Sequence, residues 1–158
     1  MSDDGTTVLF RALPPQLRFS AEEKRALRTF ARTLSQRVAG GRSYTCLITD
    51  DRELQTLNRN FRRKDYPTDV LSFPTGGGEQ LGEMAISAER AQAQALEFGH
   101  PRLDEIRILM LHGLLHLTGL DHERDHGRMA RAEEQWREAL NLPAALIART
   151  QTRGTVTS

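Results

Sequence analysis

Three of the five histidines fall in one stretch, LMLHGLLHLTGLDHE, at His112, His116 and His122. His112 and His116 are four residues apart, so on a helix both imidazoles project from the same face, about one turn apart. Gly119 lets the chain turn back, and His122 then arrives ten residues after His112. Three imidazoles in this arrangement can fill three corners of a tetrahedron and leave the fourth for water, the pattern of a catalytic rather than a structural zinc. Neutral imidazole nitrogens suit zinc best, although nickel or copper can occupy the same donors.

The ordinary alternative is a core histidine plus coincidence. With five histidines in 158 residues, two more at fixed offsets from a given one is a chance on the order of one in a thousand. Metal binding is therefore the stronger reading. The spacing and the glycine also fit the zinc-protease pattern H-E-x-x-H-x-x-G-x-x-H, except that Gly113 stands where that pattern has glutamate. In those proteases the glutamate takes the proton from the zinc's water, and glycine cannot. The site reads as hydrolytic without the peptidase base. Glu105, two turns before His112, is too distant for that job and is expected to face solvent or to back the site from outside.

A second cluster is basic: Arg59, Arg62, Arg63 and Lys64. Cations at a helix C-terminus are commonly only solvated favourably there, and for Arg63 and Lys64 that reading suffices. Arg62 differs if the fold brings it near the histidines, where its guanidinium fork would hold a phosphate.

The elements that must position these residues follow from periodicity and punctuation. VLFRAL (8–13) reads as a strand ended by Pro14 and Pro15. Ser20 with Glu23 is a capping-box spacing that opens a helix through Val38, stopped by Gly40-Gly41. YTCLIT (44–49) is a strand, and Asp50 with Glu53 opens a short helix carrying Leu54, Leu57 and Phe61, broken by Pro67. VLSF (70–73) and LGEMAIS (81–87) are strands flanking a TGGGEQ loop that lacks the Lys-Ser/Thr of a phosphate-binding loop. Ser87 is placed to cap the next helix. A strongly apolar helix then runs from Arg102 to about Leu117, and a last one from about Asp125 carries Met129, Ala132, Trp136, Ala139 and Leu140. This is one α+β domain over 1–148, with a polar tail at 149–158 expected to be disordered.

Size and composition exclude other classes. A chain of 158 residues with 38% hydrophobic and 27% charged residues can bury a core without disulfides. No stretch approaches the roughly 18 uninterrupted apolar residues of a membrane span, and MSDDGTT is neither a secretory nor a basic transit leader. A single cysteine, Cys46, makes no internal disulfide, so a reducing cytoplasm is the expected location. Net charge is +1, which excludes a strongly basic nucleic-acid binder. Yet residues 1–64 carry 13 Lys/Arg against 7 Asp/Glu, while 65–158 carry 9 against 14. A basic face opposite an acidic one still attracts a polyanion locally.

Together LNRNFRRKDYPTDVLSFP, LGEMAIS and HGLLHLTGLDH, in this order and spacing, resemble the YbeY-type bacterial endoribonucleases over roughly residues 44–142. The resemblance implies a compact fold in which a small mixed four-stranded sheet packs with about five helices, one of them a zincin-like metal helix. It implies one zinc per chain on His112, His116 and His122, and Arg62 as the functional arginine. It further implies metal-dependent cleavage of single-stranded ribosomal RNA, maturation of the 3′ end of the small-subunit RNA, ribosome quality control, and small-subunit components as partners. Two positions depart from the family pattern: Leu120 stands where tyrosine is usual, and Glu83 where aspartate is usual. Asp121 adjoins a ligand and is read as orienting the turn; His126 is read as a helix-start residue and His100 as loop. Two competing readings remain open: a zinc-stabilised module that binds ribosomal RNA without cutting it, and an atypical peptidase, which Gly113 disfavours.

Overall fold

A computed structural model describes residues 5–62, 68–75, 78–120 and 126–143. Four strands, β1 (Thr7–Phe10), β2 (Ser43–Thr49), β3 (Val70–Pro74) and β4 (Gln80–Ser87), form one sheet in the order β1-β2-β4-β3. β1 and β2 are parallel, as are β2 and β4, while β3 runs antiparallel to β4 at the edge. The sheet is therefore mixed. Five helices accompany it among the described residues: α1 (Ala21–Val38), α2 (Asp51–Arg62), α3 (Ala88–Phe98), α4 (Arg102–Leu117) and α5 (Arg128–Ala139).

The starts of these helices are written locally. Ser20 Oγ accepts from the Glu23 amide at 3.0 Å while the Glu23 carboxylate accepts from the Ser20 amide at 2.8 Å, closing the capping box of α1. Asp50 Oδ1 accepts from the Glu53 amide at 2.9 Å at the head of α2. Ser87 Oγ accepts from the Arg90 amide at 3.1 Å at the head of α3 and also donates to Asp51 Oδ1 at 2.7 Å, which ties the starts of α2 and α3 together. The first strand ends at Phe10, short of the expected Leu13, because Ala12 adopts φ +60° before the prolines. The last helix begins at Arg128, after His126 and Gly127 turn through positive φ.

Alternation along the strands sorts side chains to two faces. Val8, Cys46 and Met84 lie on one face with α1 and α4, in a core that includes Leu27, Leu34, Ile106, Leu109 and Met110. Leu47, Ala85 and Leu71 lie in register on the other face, where Leu54 and Leu57 of α2 pack against them. Tyr44 is fully buried and donates its hydroxyl to the Ala31 carbonyl at 2.9 Å, locking α1 to the sheet. α4 is covered nearly all round by the sheet, α1, α3 and α5, which is why its apolar residues form no single stripe. No described helix is long and apolar enough to cross a membrane.

Candidate functional site

α4 carries His112 and His116, and the structure brings them together as the spacing requires: their ring centroids are 4.9 Å apart with planes at 76°. His112 is buried and His116 half-buried. Each ring is held through Nδ1. His116 Nδ1 lies 3.0 Å from the Leu120 carbonyl, which can only accept, so Nδ1 carries the proton there. The carbonyl is within reach because Gly119, at φ +107°, turns the chain directly after α4. His112 Nδ1 lies 2.6 Å from Oε2 of Glu133, a fully buried carboxylate on α5. With Glu133 ionised, that bond likewise keeps the proton on Nδ1.

These bonds bear on metal binding. A neutral imidazole protonated at Nδ1 has its lone pair at Nε2, the nitrogen that binds a metal. A carboxylate or carbonyl on the other nitrogen is the usual support of a metal-ligating histidine. The donors present on α4 thus fit a divalent ion bound through imidazole nitrogens. His122, the third ligand expected from the sequence, lies outside the described residues, as do Asp121, Asp125, Arg63, Lys64, Pro67 and the 149–158 tail. Among the described residues no group of three or more histidine, cysteine or acidic side chains is arranged to hold a metal.

Gly113 has a structural reason. A Cβ there would lie 3.0 Å from Met84 Sδ and 3.2 Å from Ser72 Oγ. Ser72 Oγ also donates to the Gly113 carbonyl at 3.0 Å. The residue after the first histidine faces the sheet at close range, so a glutamate there would point into β3 and β4. Position 113 cannot supply a base.

Glu105 does not face solvent. It is fully buried, and its Oε1 lies 2.6 Å from His100 Nε2. His100, read from the sequence as plain loop, thus anchors the start of α4. Glu133 was missed altogether. Its signal was a carboxylate four residues after Met129 on the inward stripe of α5, and both residues are buried.

Arg62 closes α2, and its side chain lies outside the description. The chain re-enters at Thr68 and is pinned by Asp69, whose carboxylate accepts from the Val70 amide at 2.8 Å and from Gln94 at 3.2 Å. That anchor feeds β3, whose Ser72 meets the histidine helix.

Fold and site together define an α+β domain built around a buried helix with two oriented histidines, one backed by a carboxylate. Comparison with known proteins gives the family. The model of endoribonuclease YbeY matches residues 16–141. An endoribonuclease YbeY of Solibacter usitatus is 56% identical over 150 residues, covering 95% of this chain and 98% of the relative. One from Koribacter versatilis is 50% identical over 119 residues, covering 75% and 78%. The solution structure of TM1509 from Thermotoga maritima shares the fold at a TM-score of 0.59 and 24% identity, covering 84% of this chain and 87% of that one. The chain belongs to the endoribonuclease YbeY family.

Proposed function

We propose that this protein is a zinc-dependent endoribonuclease that cuts single-stranded RNA in the cytoplasm. Its setting is ribosomal RNA maturation at the 3′ end of the small-subunit RNA and ribosome quality control, with small-subunit components as partners. The observation that carries the reading is the His112–His116 pair, with each Nδ1 engaged by an oxygen acceptor. In this reading His112, His116 and His122 hold one zinc. Bound there, zinc supplies Lewis-acid polarisation of a phosphate oxygen and an acidified water.

The chain's own residues do the rest. Glu133 and the Leu120 carbonyl hold the two rings in one tautomer, so that metal binding need not first move a proton between ring nitrogens. Arg62 binds the phosphate and offsets charge as it builds on the non-bridging oxygens. Gly113 weighs against a peptidase, since glycine carries no side chain to act as the base and a Cβ there would be held tightly against Met84 and Ser72.

The test pairs elemental analysis with cleavage of an end-labelled single-stranded RNA by wild type, His116→Ala and Arg62→Glu. About one zinc per chain, with cutting lost in both variants, is the expected result. Stoichiometric zinc with no cutting by wild type would replace this reading with a non-catalytic RNA-binding module. Absence of bound metal after purification without chelators, and after zinc addition, would remove the ligand assignment.

A further inference from the structure

The apolar stripe of α2 outruns the sheet it covers. Leu54 is fully buried, Leu57 half-buried, and Phe61, the next residue on that face, is 68% exposed. Full burial of such a side chain is worth about 1.5–3 kcal/mol, and Phe61 forgoes most of it. Instead Phe61 rests edge-on against Phe73 of β3, with ring centroids 5.7 Å apart and planes at 67°. Most of its surface is left to solvent.

The position of this pair is informative. β3 is the edge strand of the sheet. Ser72 reaches the histidine helix at Gly113, and alternation sends the next residue, Phe73, to the opposite face with Leu54 and Leu71. One strand thus separates the oriented histidines from the exposed Phe61 and the half-buried Phe73 behind it. A flexible polymer lying along the histidine face reaches Phe61 by passing around a single strand edge. Charge sets which part of the polymer arrives there. Glu83 pairs directly with Phe73 across the ladder and is exposed, which repels phosphate on that side. A base, uncharged and planar, suits this surface better than a phosphate does.

We propose that Phe61, braced by Phe73, is a stacking platform for one base of the single-stranded RNA substrate, positioned just outside the cleavage site; this rests on RNA being the substrate. Stacking on an aromatic ring accepts any base, so the platform contributes affinity and strand selectivity rather than sequence preference. A duplex, whose bases are already stacked on one another, cannot use it.

The test measures binding of a short fluorescein-labelled single-stranded RNA to the zinc-loaded protein by anisotropy. Wild type, Phe61→Ala, Phe61→Leu and Phe61→Trp are compared, and cleavage kinetics are followed in parallel. Loss of one stacked base predicts about tenfold weaker binding for both Phe61→Ala and Phe61→Leu. KM should rise with kcat largely kept, and zinc content should be unchanged. Phe61→Trp should bind at least as tightly as wild type, with its new indole emission quenched saturably by RNA. Wild-type affinity in Phe61→Leu would overturn the platform and leave an apolar contact. Equal affinity of wild type for an oligomer lacking its bases would overturn it as well. If wild type cuts no RNA while binding still depends on an aromatic at 61, the nuclease reading fails and the platform stands. If wild type cuts RNA and Phe61→Ala cuts it with the same KM, the platform alone fails.

Discussion

His112 Nδ1 lies 2.6 Å from the Glu133 carboxylate, and both side chains are buried between α4 and α5. Two consecutive helices are joined by one charge-assisted bond at the centre of the candidate site. Such bonds are shorter and stronger than neutral ones, and this one fixes which ring nitrogen is left for a metal. Glu133→Gln keeps the shape but exchanges the carboxylate for an amide. Zinc affinity, measured by competition with a chromogenic chelator, is expected to fall about 10–100-fold, as for other supports of metal-bound histidines. Circular dichroism should remain that of wild type. Unchanged affinity would mean that Glu133 only fills the core.

The placing of His112 and His116 side by side was legible in the sequence because it is local. An i,i+4 histidine pair followed by a glycine turn specifies its geometry within one helix and one bend, and no distant contact is needed to read it. The same holds for the caps at Ser20, Asp50 and Ser87, where a side chain meets an amide three residues on. Glu133 and the His100–Glu105 pair were not legible in this way. A carboxylate on a helix looks the same in sequence whether it faces water or the interior, and only packing decides. Glu105 misled for that reason: a charged residue is expected outside unless it is paired, and its partner sits in the preceding loop. The short β1 was overextended because VLFRAL keeps its β pattern beyond the point where Ala12 leaves the strand.

Gly113 makes a sharp case for packing over chemistry. Gly113→Glu would restore the residue that zinc proteases carry, yet the side chain would meet Met84 and Ser72. Overpacking typically costs about 1–3 kcal/mol, and a buried unpaired carboxylate adds to it. The variant is expected to lose at least about 3 kcal/mol in urea denaturation and to gain no activity on a denatured protein substrate. Wild-type stability with new peptidase activity would show that α4 can move away from the sheet.

Cys46 lies at the middle of β2, fully buried, and burial alone pushes its thiol up to about 12. The thiolate is the reactive form, so the native protein should resist a thiol-specific chromogenic reagent at pH 8 and react fully once unfolded in guanidinium. The folded value lies above that of an exposed thiol, about 8.5. The neutral form is therefore favoured in the fold, and stability should fall as pH rises above the unfolded value. Rapid labelling of the native protein at pH 8 would show that β2 opens readily.

Arg11, just past β1, pairs with Glu53 of α2 across the end of the sheet. The hydrogen bond from Arg11 is the main cause holding the Glu53 carboxyl below its usual range; partial burial opposes it, and the Thr49 hydroxyl and the Arg11 charge assist. A carboxylate whose folded pKa is lowered adds stability that is fully present above the unfolded value, about 4.3. That stability is lost as pH falls through the folded value. Arg11 is largely exposed, so solvent and salt screen the pair and its worth is small. Arg11→Ala should therefore lower the melting temperature at pH 7 by no more than about 4 °C. The gap to wild type should close in moderately acid solution and shrink in 0.5 M salt, on the order of a 4 Å Debye length. A gap that persists at low pH would assign the effect to packing of the arginine stem rather than to its charge.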